Sequence, residues 1–300
     1  MKTFVCKAFG HVIGPGLLAL LLVGLSAQAR LREAQMDVPV QVTDGAGRTV
    51  SQPIRVTLFW DDVHPRPAPV LVLNHGRSGV AAERAALGRA RYHVAASFYA
   101  ERGFLVAVPT RIGYGVSGGP DVEESGACAS RRYEPAYEAA LDETLAVLEA
   151  VRERPGVDPR RAVIVGQSFG GTVAIAAAAR APSGLLGTIN FAGGGGGNPV
   201  TQAQQPCSPQ AMSQLFSQYG RLARMPTLWI YAENDQYFGP TYPRGWFQAF
   251  SQAGGRGEFV QFPPYGNDGH KLMTAFPEVW QPKVGAFLDQ LGFPRLAADR

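Results

Sequence analysis

From residue 69 onward the chain alternates two kinds of segment. Short apolar runs lie at 70–73, 105–109, 162–165, 187–191, 227–231 and 258–262. Longer stretches of helical character separate them, at about 83–102, 137–153, 170–180, 243–253 and 278–291. The apolar runs are too short for buried helices and suit strands covered on both sides. Strands alternating with helices predict an α/β fold, with a mostly parallel central sheet and helices on both faces. Ahead of it, residues 37–60 alternate apolar and polar around Asp44-Gly45-Ala46-Gly47, which predicts an N-terminal antiparallel hairpin. Five glycines at 193–197 are incompatible with regular structure. The polar, Gln-rich stretch 198–218 reads as an excursion between strands, giving a lid or surface loop at about 193–220.

The first 29 residues read as a leader rather than as fold. Lys2 and Lys7 precede an uncharged apolar run at 17–25, and Ala27-Gln28-Ala29 meets the small-x-small rule for signal peptidase. Gly14, Pro15 and Gly16 interrupt the only stretch that approaches membrane-spanning length. The expectation is a bacterial-type signal peptide over 1–29, one domain over 30–300, and export to the periplasm or beyond, with no stable membrane anchor after cleavage. The two leader lysines account for half of the net charge of +4. A balance so near neutrality, without a Lys/Arg-rich run, gives no reason to expect a nucleic-acid partner. Cys6 leaves with the leader, so Cys128 and Cys207 remain as an even pair in an oxidising compartment and are expected to form a disulfide.

The sharpest local signal is Gly166-Gln167-Ser168-Phe169-Gly170, set between an apolar strand and a helix-forming run. A serine on a tight strand-to-helix turn needs very small neighbours, and the helix N-terminus behind it favours negative charge. Serine hydroxyls need a base. After removal of the leader, only His270 follows Ser168 in the chain, and an imidazole can take and return a proton near neutrality. The acid belongs after the strand at 227–231, where Asp235 is the first choice and Glu233 the second. Asp268 is too close to His270 in sequence to come from a separate loop. One oxyanion donor is the backbone N–H of Phe169. The other is expected from the loop Asn74-His75-Gly76-Arg77-Ser78, at the N–H of Arg77 or alternatively Ser78, with His75 as a structural residue. Tyr114, in the glycine-rich loop 111–118, reads equally as a pocket wall that binds substrate or as loop packing.

His75-Gly76, Arg111 through Ser117, Gly166 through Gly170, Asp235 and His270 occur in one order along the chain. In this they resemble the α/β-hydrolase superfamily, and most nearly its dienelactone-hydrolase-like esterases, over about residues 69–291. Members of that branch typically carry cysteine at the nucleophile position, where this chain has Ser168. The resemblance implies a hydrolase without metal or cofactor, and the serine favours general ester hydrolysis over lactone chemistry. The expectation is a serine carboxylesterase acting on a small-molecule ester through an acyl-enzyme. A serine peptidase, an acyltransferase and a non-catalytic binding module on the same fold are the alternatives.

Overall fold

The computed structural model describes residues 1–3, 31–63 and 66–293. The expected leader, beyond its first three residues, lies outside that range. Among the described residues no helix is long and apolar enough to cross a membrane.

The hairpin forms from β1 (Leu31–Thr43) and β2 (Thr49–Asp61), longer than the alternation alone suggested. Asp44 closes its turn, its carboxylate accepting the backbone N–H groups of Ala46 and Arg48. The six apolar runs become β3 (Ala68–Asn74), β4 (Leu105–Thr110), β5 (Val157–Gln167), β6 (Leu185–Phe191), β7 (Thr227–Ala232) and β8 (Gly257–Phe262). They join the hairpin in one eight-stranded sheet ordered β1-β2-β4-β3-β5-β6-β7-β8. Strands β3 to β8 run parallel, while β1 and β2 are antiparallel to each other and β2 to β4. This is the α/β-hydrolase architecture the sequence pointed to.

Helices cover both faces. On one side lie α3 (Tyr133–Arg152), α4 (Phe169–Arg180), α5 (Pro209–Leu222) and α6 (Tyr242–Gln252). On the other lie α2 (His93–Ala100), α7 (Leu272–Ala275) and α8 (Pro277–Gln290). The short α1 (Ala81–Ala86) follows the loop after β3.

Two expectations need correction. The single helix anticipated at 83–102 is two helices, because Gly88 (φ +66°) and Tyr92 (φ 45°) turn left-handed between them. Strand side chains hold that break: Thr110 Oγ1 accepts the N–H of Ala90, and Thr57 Oγ1 donates to the Ala90 carbonyl. The stretch 198–218 is not a loose excursion throughout. Its second half opens α5, with Pro209 in the first turn, where its missing N–H has no helical acceptor to lose. Met212, Leu215, Phe216 and Tyr219 recur at helical spacing and are buried.

Chain order leaves β3 for β4 on one side and returns to β5 on the other. The C-terminal ends of β3 and β5 therefore flank a topological switch point, the crevice where open α/β sheets hold ligands. Asn74 at the end of β3 pairs with Gly166 of β5, which pairs in turn with Asn190 of β6, so the loops leaving these strands emerge side by side.

Candidate active site

Ser168 occupies the turn between β5 and α4 at φ 57°, ψ −123°, a conformation that a non-glycine residue holds only under constraint from its surroundings. That constraint is close backbone packing. A Cβ on Gly166 would fall 2.0 Å from the Gly170 carbonyl oxygen, and one on Gly170 would fall 2.5 Å from the Asn74 oxygen. Only glycine fits at either position. The serine N–H donates to the Phe191 carbonyl of β6 at 2.8 Å, which secures the turn to the sheet. Phe169 begins α4, so its N–H has no acceptor within the helix and stays available beside Ser168.

The loops after β7 and β8 meet at the imidazole of His270. Its Nδ1 lies 2.9 Å from Asp235 Oδ2, and both side chains are buried. The other Asp235 oxygen accepts the backbone N–H groups of Tyr237 (2.8 Å) and Phe238 (3.0 Å), so the carboxylate is fixed in place and satisfied as an anion. Engagement of Nδ1 leaves Nε2 as the ring atom for proton exchange. Glu233 is exposed and makes no such contact. Asp268 instead staples the two loops, accepting the backbone N–H groups of Gln236 and His270 at 3.0 Å each. Gln167, next to Ser168, donates to the His270 carbonyl at 3.2 Å, so the serine turn and the histidine loop are in contact.

The loop after β3 closes the third side. A Cβ on Gly76 would lie 3.2 Å from the Ser168 Cβ. The Gly76 carbonyl is held by His75 Nδ1 at 2.7 Å and by Arg111 Nη2 at 3.3 Å. Because a trans peptide is planar, with C=O and N–H opposed, fixing that oxygen also fixes the direction of the Arg77 N–H. His75 Nε2 accepts the N–H of Arg111, so Nδ1 is the protonated nitrogen. Burial, then the Arg111 charge, pushes the His75 pKa well below its ordinary value, and the ring stays neutral. His75 is thus structural, as the sequence reading held.

Tyr114 is corrected. It does not face the cavity beside Ser168. It is buried, its hydroxyl donates to Glu123 Oε2 at 2.6 Å, and its ring meets that of His75 edge-on. A buried phenol needs an acceptor, and Glu123 provides one on the far side of the loop. Arg111 and Glu123, both wholly buried, pair beneath the loop.

The cavity itself measures about 890 Å³. Ser168, Phe169 and Arg77 border it, with Tyr133, Tyr137, Tyr237 and Phe238 as aromatic walls and Gly194 to Gly197 as a strip of bare backbone. The glycine run packs where side chains cannot: a Cβ on Gly195 would lie 2.6 Å from the Tyr133 ring. Cys128 and Cys207 form the expected disulfide in the cavity wall, with Cα atoms 4.9 Å apart. It ties the segment before α3 to the segment before α5. Among the described residues no cluster of three or more His, Cys, Asp or Glu side chains is arranged to hold a metal ion.

Of the residues singled out in the sequence, the structure joins Asp235 to His270 and sets Ser168, Phe169 and Arg77 on one cavity. Glu123, Tyr92 and Phe238 went unnoticed as site residues, and Arg111 was noted only as the start of a motif loop. Phe238, three positions after the acid, carried the only local signal.

The dienelactone hydrolase family model matches residues 60–267. No curated protein matches at comparable significance. Among solved structures, an esterase of Pyrococcus furiosus aligns with a TM-score of 0.53 at 14% identity, covering 85% of this chain and 90% of that one. A Klebsiella pneumoniae protein named for the dienelactone hydrolases aligns at 0.56 and 15% identity, covering 86% and 99%. A puromycin-hydrolyzing peptidase of Mycobacterium tuberculosis aligns at 0.57 and 16% identity, covering 88% of this chain and 41% of that one. At such identities the likeness is one of fold.

Proposed function

Because the chain belongs to the dienelactone hydrolase family, and is a hydrolase on that fold, we propose that it is a serine carboxylesterase with Ser168, His270 and Asp235 as its triad. The observation that carries this reading is the buried 2.9 Å contact between His270 Nδ1 and Asp235 Oδ2, one loop away from a serine on a positive-φ turn.

In the proposed cycle, Ser168 Oγ attacks the acyl carbon of a bound ester while His270 Nε2 takes its proton. The carbonyl electrons move onto oxygen, where the N–H groups of Phe169 and Arg77 stabilise the charge, each worth about 3 kcal/mol in the transition state. Collapse expels the alcohol, which leaves with the proton from His270, and the acyl group stays on Ser168. Water then gives a proton to His270 and attacks the acyl-enzyme. The second collapse releases the carboxylic acid and returns the proton to Ser168. Asp235 holds the imidazole in the tautomer this requires and stabilises the imidazolium. The aromatic walls suit an apolar group on the ester. The Cys128–Cys207 bond supports an exported location, since such bonds persist in oxidising compartments.

The test is hydrolysis of p-nitrophenyl acetate and butyrate beside labelling with a fluorophosphonate. Activity and labelling lost together in Ser168→Ala would support the assignment. A folded wild-type protein that neither hydrolyses nor labels would overturn it.

A further inference from the structure

We propose that Tyr92 and Gln167 act as a positioning pair, bracing the Gly76 loop, the Ser168 turn and the His270 loop in one register. The proposal rests on the serine-hydrolase reading above. The Gly76 N–H donates to the Tyr92 hydroxyl at 3.3 Å, that hydroxyl donates to Gln167 Oε1 at 3.0 Å, and Gln167 Nε2 donates to the His270 carbonyl at 3.2 Å. The direction of the chain is forced at both ends. A backbone N–H can only donate, so the hydroxyl accepts there and donates onward. A carbonyl can only accept, so the amide presents its nitrogen to His270. Burial raises the Tyr92 pKa, which keeps the donor proton in place.

Neither side chain lines the cavity, so the pair acts through the segments it holds and not on substrate. Its lever is Gly76, a glycine whose backbone lacks the steric restraint of a side chain. Tyr92 holds the N–H of the peptide before Gly76. His75 and Arg111 hold the oxygen of the peptide after it. With both planes fixed, φ and ψ of Gly76 are fixed, and so is the aim of the Arg77 N–H. The His75 oxygen of the first plane also accepts Arg111 Nη1 at 2.8 Å, so without the Tyr92 hydroxyl that plane is held from one side only. Tyr92 itself sits left-handed at φ 45°, ψ 43°, just ahead of α2. Residues other than Gly, Asn or Asp hold that conformation at an energetic cost.

Tyr92→Phe deletes one oxygen and Gln167→Met deletes both ends of the amide bridge. The expected result for each is a fall in kcat of about tenfold, within the range that misplacement of a catalytic group produces. KM and the melting temperature should stay near wild type. The double variant should lose no more than the worse single, because either change breaks the same chain. Amide hydrogen exchange, which needs no activity, should accelerate about tenfold or more at residues 75–78 in Tyr92→Phe. Wild-type kcat, additive losses, or unchanged exchange in that segment would each overturn the pair's role. Ser168→Ala, assayed alongside, separates the two claims: hydrolysis that survives it would sink the serine reading, whereas its loss with an unaffected Tyr92→Phe would sink only the brace.

Discussion

The ring of Tyr237 stacks on the imidazole of His270, with centroids 4.0 Å apart and planes inclined by 25°. The same residue donates its backbone N–H to Asp235. One position thus holds the acid through its main chain and the base through its side chain, while Phe238 closes the imidazole edge-on from another direction. Tyr237 also lines the cavity, so the ring stacked on His270 is part of the cavity wall. Removing the ring in Tyr237→Ala should lower kcat by about tenfold through lost orientation of the base, with Tyr237→Phe close to wild type. Equal activity in all three proteins would show that the stack does nothing for turnover.

Asp235→Asn keeps an oxygen for the Tyr237 and Phe238 N–H groups but replaces the acceptor facing His270 Nδ1. On the serine-protease precedent, turnover should fall by about 10⁴ with the fold intact. Steady-state kinetics with circular dichroism as the folding control would decide it. A loss below tenfold would remove Asp235 from the triad.

Arg111 and Glu123 are paired with no exposure to solvent. Arg111→Met would strand the Glu123 carboxylate, leaving only the Tyr114 hydroxyl and the more distant Arg77 to answer it. The expected loss is about 3–5 kcal/mol of stability. Chemical denaturation would measure it. A loss under about 1 kcal/mol would mean that the carboxylate has found water or a proton.

Glu143 supplies a pH dependence whose sign can be worked out. Burial, against the opposing pull of the Ile112 N–H and Arg111, raises its carboxyl from 4.5 to about 8. The native state therefore binds more protons than the unfolded chain between those values. Stability from this group is complete below about 4.5 and declines as pH rises through about 8. The melting temperature of wild type minus that of Glu143→Gln should accordingly fall from pH 5 to pH 9. A flat or rising difference would contradict the assignment.

The Cys128–Cys207 bond closes a loop of 79 residues and borders the cavity. Paired Cys→Ala replacement, or reduction, should lower stability by about 2–4 kcal/mol. Melting that is indifferent to reductant would argue that the bond contributes nothing to the native fold.

What was legible in the sequence is what local chemistry dictates. The strands at 70–73 and 162–165 are apolar because sheet and helices bury them on both faces, and that burial is written in each residue. The serine turn could be read because it requires residues without a Cβ at 166 and 170, where one would fall 2.0 and 2.5 Å from a backbone oxygen. The pairing of Asp235 with His270 was reachable because strand order dictates which loops converge.

Tertiary structure alone decided where the polar side chains between those landmarks find partners. Tyr114 sits among glycines that suggest an open loop, yet its hydroxyl turns inward to Glu123. Gln167 lies inside the most conspicuous motif of the chain, but its function depends on Tyr92, 75 positions earlier, and on His270, 103 positions later. A hydrogen bond depends on distance and direction between two groups, and sequence records only that each group exists. Hydrophobic burial is a property of one residue and its period, so it survives reading in one dimension. The partners of a buried polar group are set by the fold that brings them together.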